Sequence, residues 1–405
     1  MSKNHAVIVQ KAGEAQVQET SIPKLRDDYI LVKTKFVALN PTDWKHLDFL
    51  TGKGVLLGKF ITIRNCCHLY VKAQEPGSST GACRRICLRS PALPAPEVSL
   101  AIHEISMLIR GLGCDYAGVV EEVGSKVSKP FKRGDRVSGF CHGGNVLNHE
   151  DGAFAEYITA KGDVQIKIPD NMSFEEAATL GVGVTTCGQG LYQSLKLPLP
   201  TKPATQKTYV LIYGGSTATG ALAIQYAKLS GLTVVTTCSS RNFEYVKSLG
   251  ADAAFDYNSP SCSKDIQTWS NDSIHHALDC ISEGNSPAIT IPAMSTSGGI
   301  YSTLLPVPES DIRKMNPNVE LKHTLAYTVV GEFFKFGPKE FPAMPQDFEF
   351  GKMFWEMSRE LFEQGKLKVH KISLDKYGKG LESVLKGMNA IRKGEVSGEK
   401  LVVTV

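Results

Sequence analysis

Apolar and polar positions alternate in two patches near the start of the chain, Ala6-Val-Ile-Val-Gln10 and Tyr29-Ile-Leu-Val-Lys-Thr-Lys-Phe-Val37. Pro23 and Asp27-Asp28 punctuate the interval, so the pattern predicts strand, turn, strand. The same texture returns in Gly118-Val-Val-Glu-Glu-Val-Gly124, Gly134-Asp-Arg-Val-Ser-Gly-Phe140 and Gly152-Ala-Phe-Ala-Glu-Tyr-Ile158. Short strands with a glycine every few residues imply a small twisted, barrel-like β domain. Beyond Pro169 the period changes. Ser173 caps a helical run, Phe174–Leu180, with Glu176 at the capping-box position. A second helix is expected over about 183–195, before the break Pro198-Leu-Pro-Thr-Lys-Pro203.

From Thr208 the order is strand, glycine turn, helix, strand, repeated. Strands are expected at Tyr209–Tyr213, Thr233–Thr237, Ile274–Asp279 and Gly299–Thr303, with helices at Ala218–Leu229 and Asn242–Leu249. Gly250 stops the second helix. This is the pattern of a doubly wound α/β unit. The closing strand, Lys400–Val405, is expected to rejoin the β domain or its junction.

Residues 59–113 break the style of both flanks. They hold Cys66-Cys67, Arg84-Arg85 and the run Pro91-Ala-Leu-Pro-Ala-Pro96, and they lack sustained periodicity until about 98–108. So long an irregular insert argues against a simple loop. A small lid or a partner-binding loop is one reading. A translated intron is the sharper one: Gly58-Lys59-Phe60 is compatible with a donor GTAAGT and Leu112-Gly113 with an acceptor TAG. Splicing would join Val55-Leu-Leu-Gly58 to Cys114-Asp-Tyr-Ala-Gly118, and a segment of that origin should pack poorly.

The length of 405 residues exceeds what one ordinary core organises and suggests two or three domains. With 42% hydrophobic and 21% charged residues the composition is globular. No apolar run approaches a membrane span, and the polar N-terminus lacks a secretory core. Cytoplasm is the expected location. The net charge of +4 is a weak field for nucleic acid, and the irregular segment accounts for it: seven Lys/Arg against three acids there leave 38 against 38 elsewhere. Four of the ten cysteines fall in the same segment and no C-x-x-C occurs, so buried reduced thiols are expected rather than disulfides.

The chemistry-bearing stretch is Tyr209-Val-Leu-Ile-Tyr-Gly214-Gly215-Ser216-Thr217-Ala218-Thr219-Gly220. Glycines here let backbone N–H groups approach a pyrophosphate, and the helix N-terminus adds partial positive charge. The spacing is not G-x-G-x-x-G, so the strand–turn–helix context carries the reading. An NAD site usually places an acid at the end of the second strand. This chain has Cys238-Ser239-Ser240-Arg241-Asn242 instead. Two hydroxyls and a guanidinium suit a 2′-phosphate, so NADPH is the expected cofactor.

Ala38-Leu-Asn-Pro-Thr-Asp-Trp-Lys45, Gly113-Cys-Asp-Tyr-Ala-Gly-Val-Val-Glu-Glu-Val-Gly124, Gly134-Asp-Arg-Val137, Gly152-Ala-Phe-Ala-Glu-Tyr157, the glycine loop and Leu249-Gly-Ala-Asp252 together resemble the medium-chain dehydrogenase/reductase superfamily. The likeness is greatest to fungal trans-acting enoyl reductases of polyketide biosynthesis, and it spans the chain outside 59–113. The resemblance implies a GroES-like β-barrel domain over 1–180 and 330–405 and a Rossmann domain over 181–329. It implies a zinc-free site, since Asn40-Pro-Thr-Asp43 and Gly113-Cys-Asp115 stand where the zinc branch has a Cys ligand and Gly-His-Glu. The partner would be a polyketide synthase, or its acyl carrier domain with a tethered enoyl substrate. A monomer would be expected, with no nucleic acid and no membrane.

Hydride would then add to the β-carbon of an enoyl thioester, with charge building on the thioester oxygen. Lys45 is the candidate catalytic residue, touching the nicotinamide ribose or relaying a proton; a relayed water is the other donor. By resemblance, cofactor contacts fall on Thr42, Asp43, Trp44, Lys45, Ser216, Thr217, Ala218, Thr219, Ser239, Ser240, Arg241, Asn242, Tyr257, Leu304, Leu305, Val396 and Ser397. The acyl pocket would draw on Gly181, Val182, Gly183, Val184, Thr185, Thr186, Cys187 and Gly188, and on Tyr327, Thr328, Val329, Val330 and Gly331. Two rival readings stay open here: a stand-alone quinone or enone reductase, and a nucleotide-binding protein without activity.

Overall fold

The computed structural model describes residues 3–49 and 111–405. The chain opens as an antiparallel hairpin, β1 (Lys3–Lys11) and β2 (Glu14–Ser21). Strand β2 falls where the sequence pattern predicts only a turn. Its residues are exposed or half-buried throughout, so Ala15 and Val17 give too faint an alternation to announce a strand. Next come β3 (Tyr29–Ala38) and helix α1 (Pro41–Phe49). Then follow β4 (Asp115–Val123), β5 (Arg136–Phe140), β6 (Tyr157–Lys161) and β7 (Gln165–Lys167).

Helix α2 (Phe174–Ala177) has the expected capping box: Glu176 N–H donates to Ser173 Oγ, and Ser173 N–H donates to the Glu176 carboxylate. It ends three residues earlier than the apolar run suggests. Ser138 Oγ donates to Ala177 O and Thr179 Oγ1 donates to Glu176 O. Side-chain hydroxyls thus engage the carbonyls a longer helix would use. Helix α3 (Gly181–Cys187) starts afresh and runs into a π-helical turn, Gly188–Ser194.

The second half alternates strictly. Its elements are β8 (Tyr209–Tyr213), α4 (Ala218–Leu229), β9 (Thr233–Cys238), α5 (Phe243–Ser248), β10 (Ala253–Asp256), α6 (Cys262–Trp269), β11 (His276–Asp279), α7 (Ser286–Ala293), β12 (Gly299–Thr303), α8 (Glu309–Met315) and β13 (Val319–His323). They build a parallel six-stranded sheet in the order β10-β9-β8-β11-β12-β13. The order reverses between β8 and β11, the place where open α/β sheets leave a crevice for a ligand. The chain then forms a hairpin, β14 (Phe334–Phe336) and β15 (Lys339–Phe341), the long helix α9 (Pro345–Glu363), β16 (Ile372–Leu374), α10 (Leu381–Arg392) and β17 (Lys400–Thr404). Strand β17 pairs with β3, closing a second sheet of order β16-β17-β3-β4-β5-β7, with β6 also on β3.

One apolar cluster runs through both sheets, joining Phe140 and Ile166 to Val210, Ile212, Ile224 and Trp355 by way of Val184 and Cys187 on α3. A second cluster fills the β unit, with Ile30, Val32, Tyr116, Val120 and Val137 fully buried. Among the described residues no helix is long and apolar enough to cross a membrane. The six described cysteines are all free, and five are buried.

The intron reading concerns 59–113, of which 59–110 lie outside the described residues. Residues 111–113 are tightly built in, unlike the loose packing expected of the whole. Gly111 bridges Ile8, Leu112 is fully buried, and Gly113 adopts φ +92°. A Cβ on Gly113 would lie 2.4 Å from the Phe154 ring.

Three strand ends meet at one buried polar node. The ammonium of Lys400, at the start of β17, forms a 2.8 Å ion pair with Asp115 Oδ2 at the start of β4, and donates to Asn40 Oδ1 after β3. Both charges are buried, at 4% and 0% exposure. The other Asp115 oxygen accepts from Val182 N–H at 2.6 Å, pinning the first turn of α3. Removing one member strands a buried charge, so Lys400→Met is expected to destabilise the fold by about 3–5 kcal/mol, read from chemical denaturation. Lys400→Arg should cost less, because the charge is kept.

Candidate functional site

The glycine loop closes on itself at the C-terminal edge of β8. Thr217 caps α4: its Oγ1 accepts from Gly220 N–H at 3.0 Å and donates to Gly214 O at 2.8 Å. Gly214 has φ +82°. A Cβ on Gly215 would lie 2.0 Å from Thr236 Oγ1, and one on Gly220 would lie 2.2 Å from Gly214 O. No side chain fits at either position, so the backbone is left bare at a helix N-terminus.

At one end of this loop Ser239 and Tyr257 share a hydrogen bond at 3.1 Å, and Arg241 donates to Ser397 Oγ at 3.0 Å. That contact brings the Val396-Ser397 segment onto the tip of β9, where Asn242 lies beside Gly398. Arg241 and Ser240 are exposed. No acid occupies 238–242. Asp256, in register with Cys238 on the neighbouring strand, is engaged by Asn258 and Ser240, and these hydrogen bonds hold its carboxyl below the usual range.

Toward the other end stands a turn organised by Asp279, which is fully buried. One carboxylate oxygen accepts from the N–H groups of Ile281 and Ser282, the other from Ser286 Oγ and Tyr301 Oη, at 2.6–2.9 Å. Ser282 sits at φ +57°, a strained position for a side-chain-bearing residue, and its Oγ accepts from Leu304 N–H at 2.8 Å. The turn ties Leu304-Leu305 in place and presents Glu283 to Lys45, 3.0 Å away.

Helix α1 divides the residues expected at the cofactor. Thr42 and Lys45 face the second half of the chain, through Tyr327 and Glu283 respectively. Asp43 is fully buried and turns inward: one oxygen accepts from Asn40 N–H at 2.6 Å and the other has no partner. Burial, with Asp115 nearby, pushes its carboxyl up to about 8. Trp44 packs against the β-unit core beside Arg392. Thr42 and Lys45 thus reach toward the second half of the chain, while Asp43 and Trp44 are built into the β unit.

The stretches expected to line the acyl pocket are mostly buried. Of Gly181–Gly188 only Val182 is part-exposed, and of Tyr327–Gly331 only Gly331. Gly183 lies against Leu222, Gly188 against Phe354, and Thr185 accepts from Trp355 Nε1. Cys187 Sγ donates to Thr219 O, linking α3 to the glycine-loop helix. Tyr327 is the second residue of the 3-10 turn Ala326–Val330, and its hydroxyl meets Thr42 Oγ1 at 2.9 Å and His46 Nε2 at 3.0 Å. Burial pushes the phenol up and lowers His46 to about 4 and His142 to about 3, so both imidazoles are neutral.

Hydrogen bonds and close contacts thus trace one line, Arg241–Ser397, Ser239–Tyr257, Gly214–Gly220, Ser282–Leu304, Glu283–Lys45 and Thr42–Tyr327. His46, Glu283 and Asp279 escaped the sequence reading. His46 adjoins the Asn-Pro-Thr-Asp-Trp-Lys run, and Asp279 is a lone acid closing an apolar strand; both were visible signals. Glu283 has none. The described residues do not suit zinc. Asp115 is committed to Lys400 and Val182, and among the described residues no three His, Cys, Asp or Glu converge to hold a metal.

Residues 99–170 match the alcohol dehydrogenase GroES-like domain family, and residues 218–317 match the zinc-binding dehydrogenase family. The first match begins inside the stretch set apart as irregular. The chain is 41% identical over 408 residues to trans-enoyl reductase ACTTS2 of Alternaria alternata, covering 100% of both chains. It is 45% identical over 355 residues to trans-enoyl reductase TOXD of Cochliobolus carbonum, covering 87% of this chain and 99% of that one. Among solved structures, CurK enoyl reductase superposes with TM-score 0.67 at 18% identity, over 100% of this chain and 99% of that one. The quinone oxidoreductase from Coxiella burnetii does so with TM-score 0.66 at 21% identity over the whole of both. These two likenesses show the fold.

Asp43 sets a pH dependence. Its folded-state pKa lies above the ordinary 3.8. The stability it contributes is therefore complete below about pH 4 and is lost as pH rises through about 8, at roughly 1.4 kcal/mol per unit in between. Asp43→Asn removes that titration. Its melting temperature relative to the parent should rise steadily from pH 5 to pH 8; a constant difference across that range contradicts the assignment.

Proposed function

The chain belongs to the trans-enoyl reductases, oxidoreductases of the medium-chain dehydrogenase/reductase fold, and from that membership we propose that it reduces the α,β-double bond of a polyketide enoyl thioester with NADPH while the acyl chain stays tethered to a synthase. The observation that carries the reading is the line of contacts from Arg241 to Tyr327. It has a bare-backbone loop at its centre, an arginine at one end and a lysine–threonine pair at the other.

The loop, the arginine and the lysine on that line each have a physical task. The Gly214–Gly220 loop and the N-terminus of α4 receive the pyrophosphate. Arg241, with Ser239 and Ser240, receives the 2′-phosphate; its planar fork matches phosphate oxygens, and no acid stands at 238–242 to take the ribose hydroxyls. Bound there, the reduced nicotinamide supplies the hydride. Lys45 then holds the nicotinamide ribose or passes a proton toward the α-carbon, exchanging Glu283 for the new partner. Val182 and Gly331 flank the acyl path, while the buried remainder of both stretches fixes its walls. The same reading places the protein in the cytoplasm as a monomer that meets an acyl carrier domain.

We also retain the excision of 59–113 as a proposal. The structure demands a buried Leu followed by a positive-φ Gly ahead of Cys114, and excision would supply Leu57-Gly58 in place of Leu112-Gly113. Complementary DNA across the region decides it: transcripts that uniformly keep the segment end the idea.

Arg241→Ala is expected to raise KM for NADPH about tenfold or more, the loss of one charge-assisted bidentate contact, with little change for NADH. Equal losses for both nucleotides would refute a 2′-phosphate site. Lys45→Met should lower kcat for an enoyl thioester by about 10²–10⁴-fold if it relays a proton, or raise KM for NADPH with kcat kept if it only grips the ribose. Turnover of simple quinones at rates equal to a carrier-bound enoyl group would instead make the protein a stand-alone quinone reductase.

A further inference from the structure

The enolate formed on hydride transfer needs a donor at the thioester oxygen, and the contacts assigned so far supply none. We propose that the Tyr327 hydroxyl is that donor, making Tyr327 a catalytic residue of the reduction. This deepens the functional reading above and rests on its placing the nicotinamide ribose at Lys45, three residues along α1 from Thr42.

The phenol oxygen is the meeting point of three groups. Thr42 Oγ1 lies at 2.9 Å, His46 Nε2 at 3.0 Å and Cys114 Sγ at 3.8 Å. Thr42 and His46 are themselves 3.4 Å apart. Such a triangle lets the phenol O–H swing to a new acceptor while Thr42 O–H and His46 Nε2–H donate to the phenol oxygen, each bond polarising the next. His46 Nδ1 is buried without a partner, so its ring is free to carry the proton on Nε2. Burial keeps the imidazole neutral and the phenol protonated.

The setting amplifies the effect. The Tyr327 ring is walled by His142 at 4.5 Å, Phe336 at 5.1 Å and Phe140 at 5.6 Å between centroids. A preorganised donor in a dry, apolar site stabilises developing charge far more than in water. The turn that carries it is fixed, since Thr328 accepts from Gln189 Nε2 at 2.9 Å and donates to Asp347.

The step balances simply. A hydride with its electron pair forms the new C–H bond at the β-carbon. The alkene π pair moves to the α-carbon–carbonyl bond, and the carbonyl pair moves to oxygen. The Tyr327 hydrogen bond to that oxygen tightens without its O–H breaking. One proton from water, directly or through Lys45, then completes the α-carbon.

The test is Tyr327→Phe in the full-length protein, with an N-acetylcysteamine enoyl thioester and NADPH. Expected is a fall in kcat of about 100-fold, the scale for one oxyanion donor, with the dissociation constant for NADPH within about threefold of the parent. A variant that binds NADPH and keeps kcat within threefold overturns the proposal. A second measurement needs no variant. In the parent bound to NADP+, the infrared stretch of a ¹³C-labelled thioester carbonyl should fall below its value in an apolar solvent; an unshifted band overturns the proposal even if the phenylalanine variant misfolds. A parent protein that binds NADPH but reduces no enoyl thioester removes the functional reading itself, and this proposal with it. Loss confined to the variant separates the two.

Discussion

The ion pair between Lys400 and Asp115 is the constraint on which the site depends. Burying two opposite charges gains little net stability, because desolvation offsets their attraction. What the pair fixes is geometry. It joins the last strand of the chain to β4, reaches Asn40 at the entry to α1, and through Asp115 fastens the first turn of α3. Helix α1 carries Thr42 and Lys45, and α3 packs on the glycine-loop helix. The start of α1 and the first turn of α3 are therefore indexed to the same ion pair.

That arrangement brings together residues 360 positions apart. The β unit is completed only when β17 pairs with β3. The same return brings Ser397 onto Arg241 and Lys400 onto Asn40. In the parallel sheet, Asp279 plays the matching part. Four donors hold its carboxylate, and the positive-φ turn they enforce projects Glu283 toward Lys45. One buried acid on each side thus aims a segment at the cleft.

Under the proposed reduction, the charge that builds on the thioester oxygen calls for hydrogen-bond donors. The buried neighbourhood of α1 suits that demand. Its two imidazoles are neutral, its phenol is protonated, and Asp43 is driven toward its uncharged form. Neutral groups around the Tyr327 hydroxyl leave it available to a transient negative oxygen, as proposed above.

What the sequence by itself determined was whatever local rules govern. The alternating α/β half, the capping box at Ser173, the glycine turn and the missing acid after β9 are all properties of neighbouring residues, where period, caps and φ preferences act within a few positions. The tertiary structure decided what depends on distant partners. Strand β2 is too polar to announce itself and exists by pairing with β1. Asp43 and Trp44 lie in the same motif as Thr42 and Lys45, yet only folding shows which side of α1 each faces. Tyr327 came to light in the sequence merely as pocket lining; its contact with Thr42 and His46 spans some 285 positions. Chain pattern records periodicity and turn chemistry, whereas the burial that neutralises a histidine or raises a carboxyl is a property of the closed core, and no window of sequence contains it.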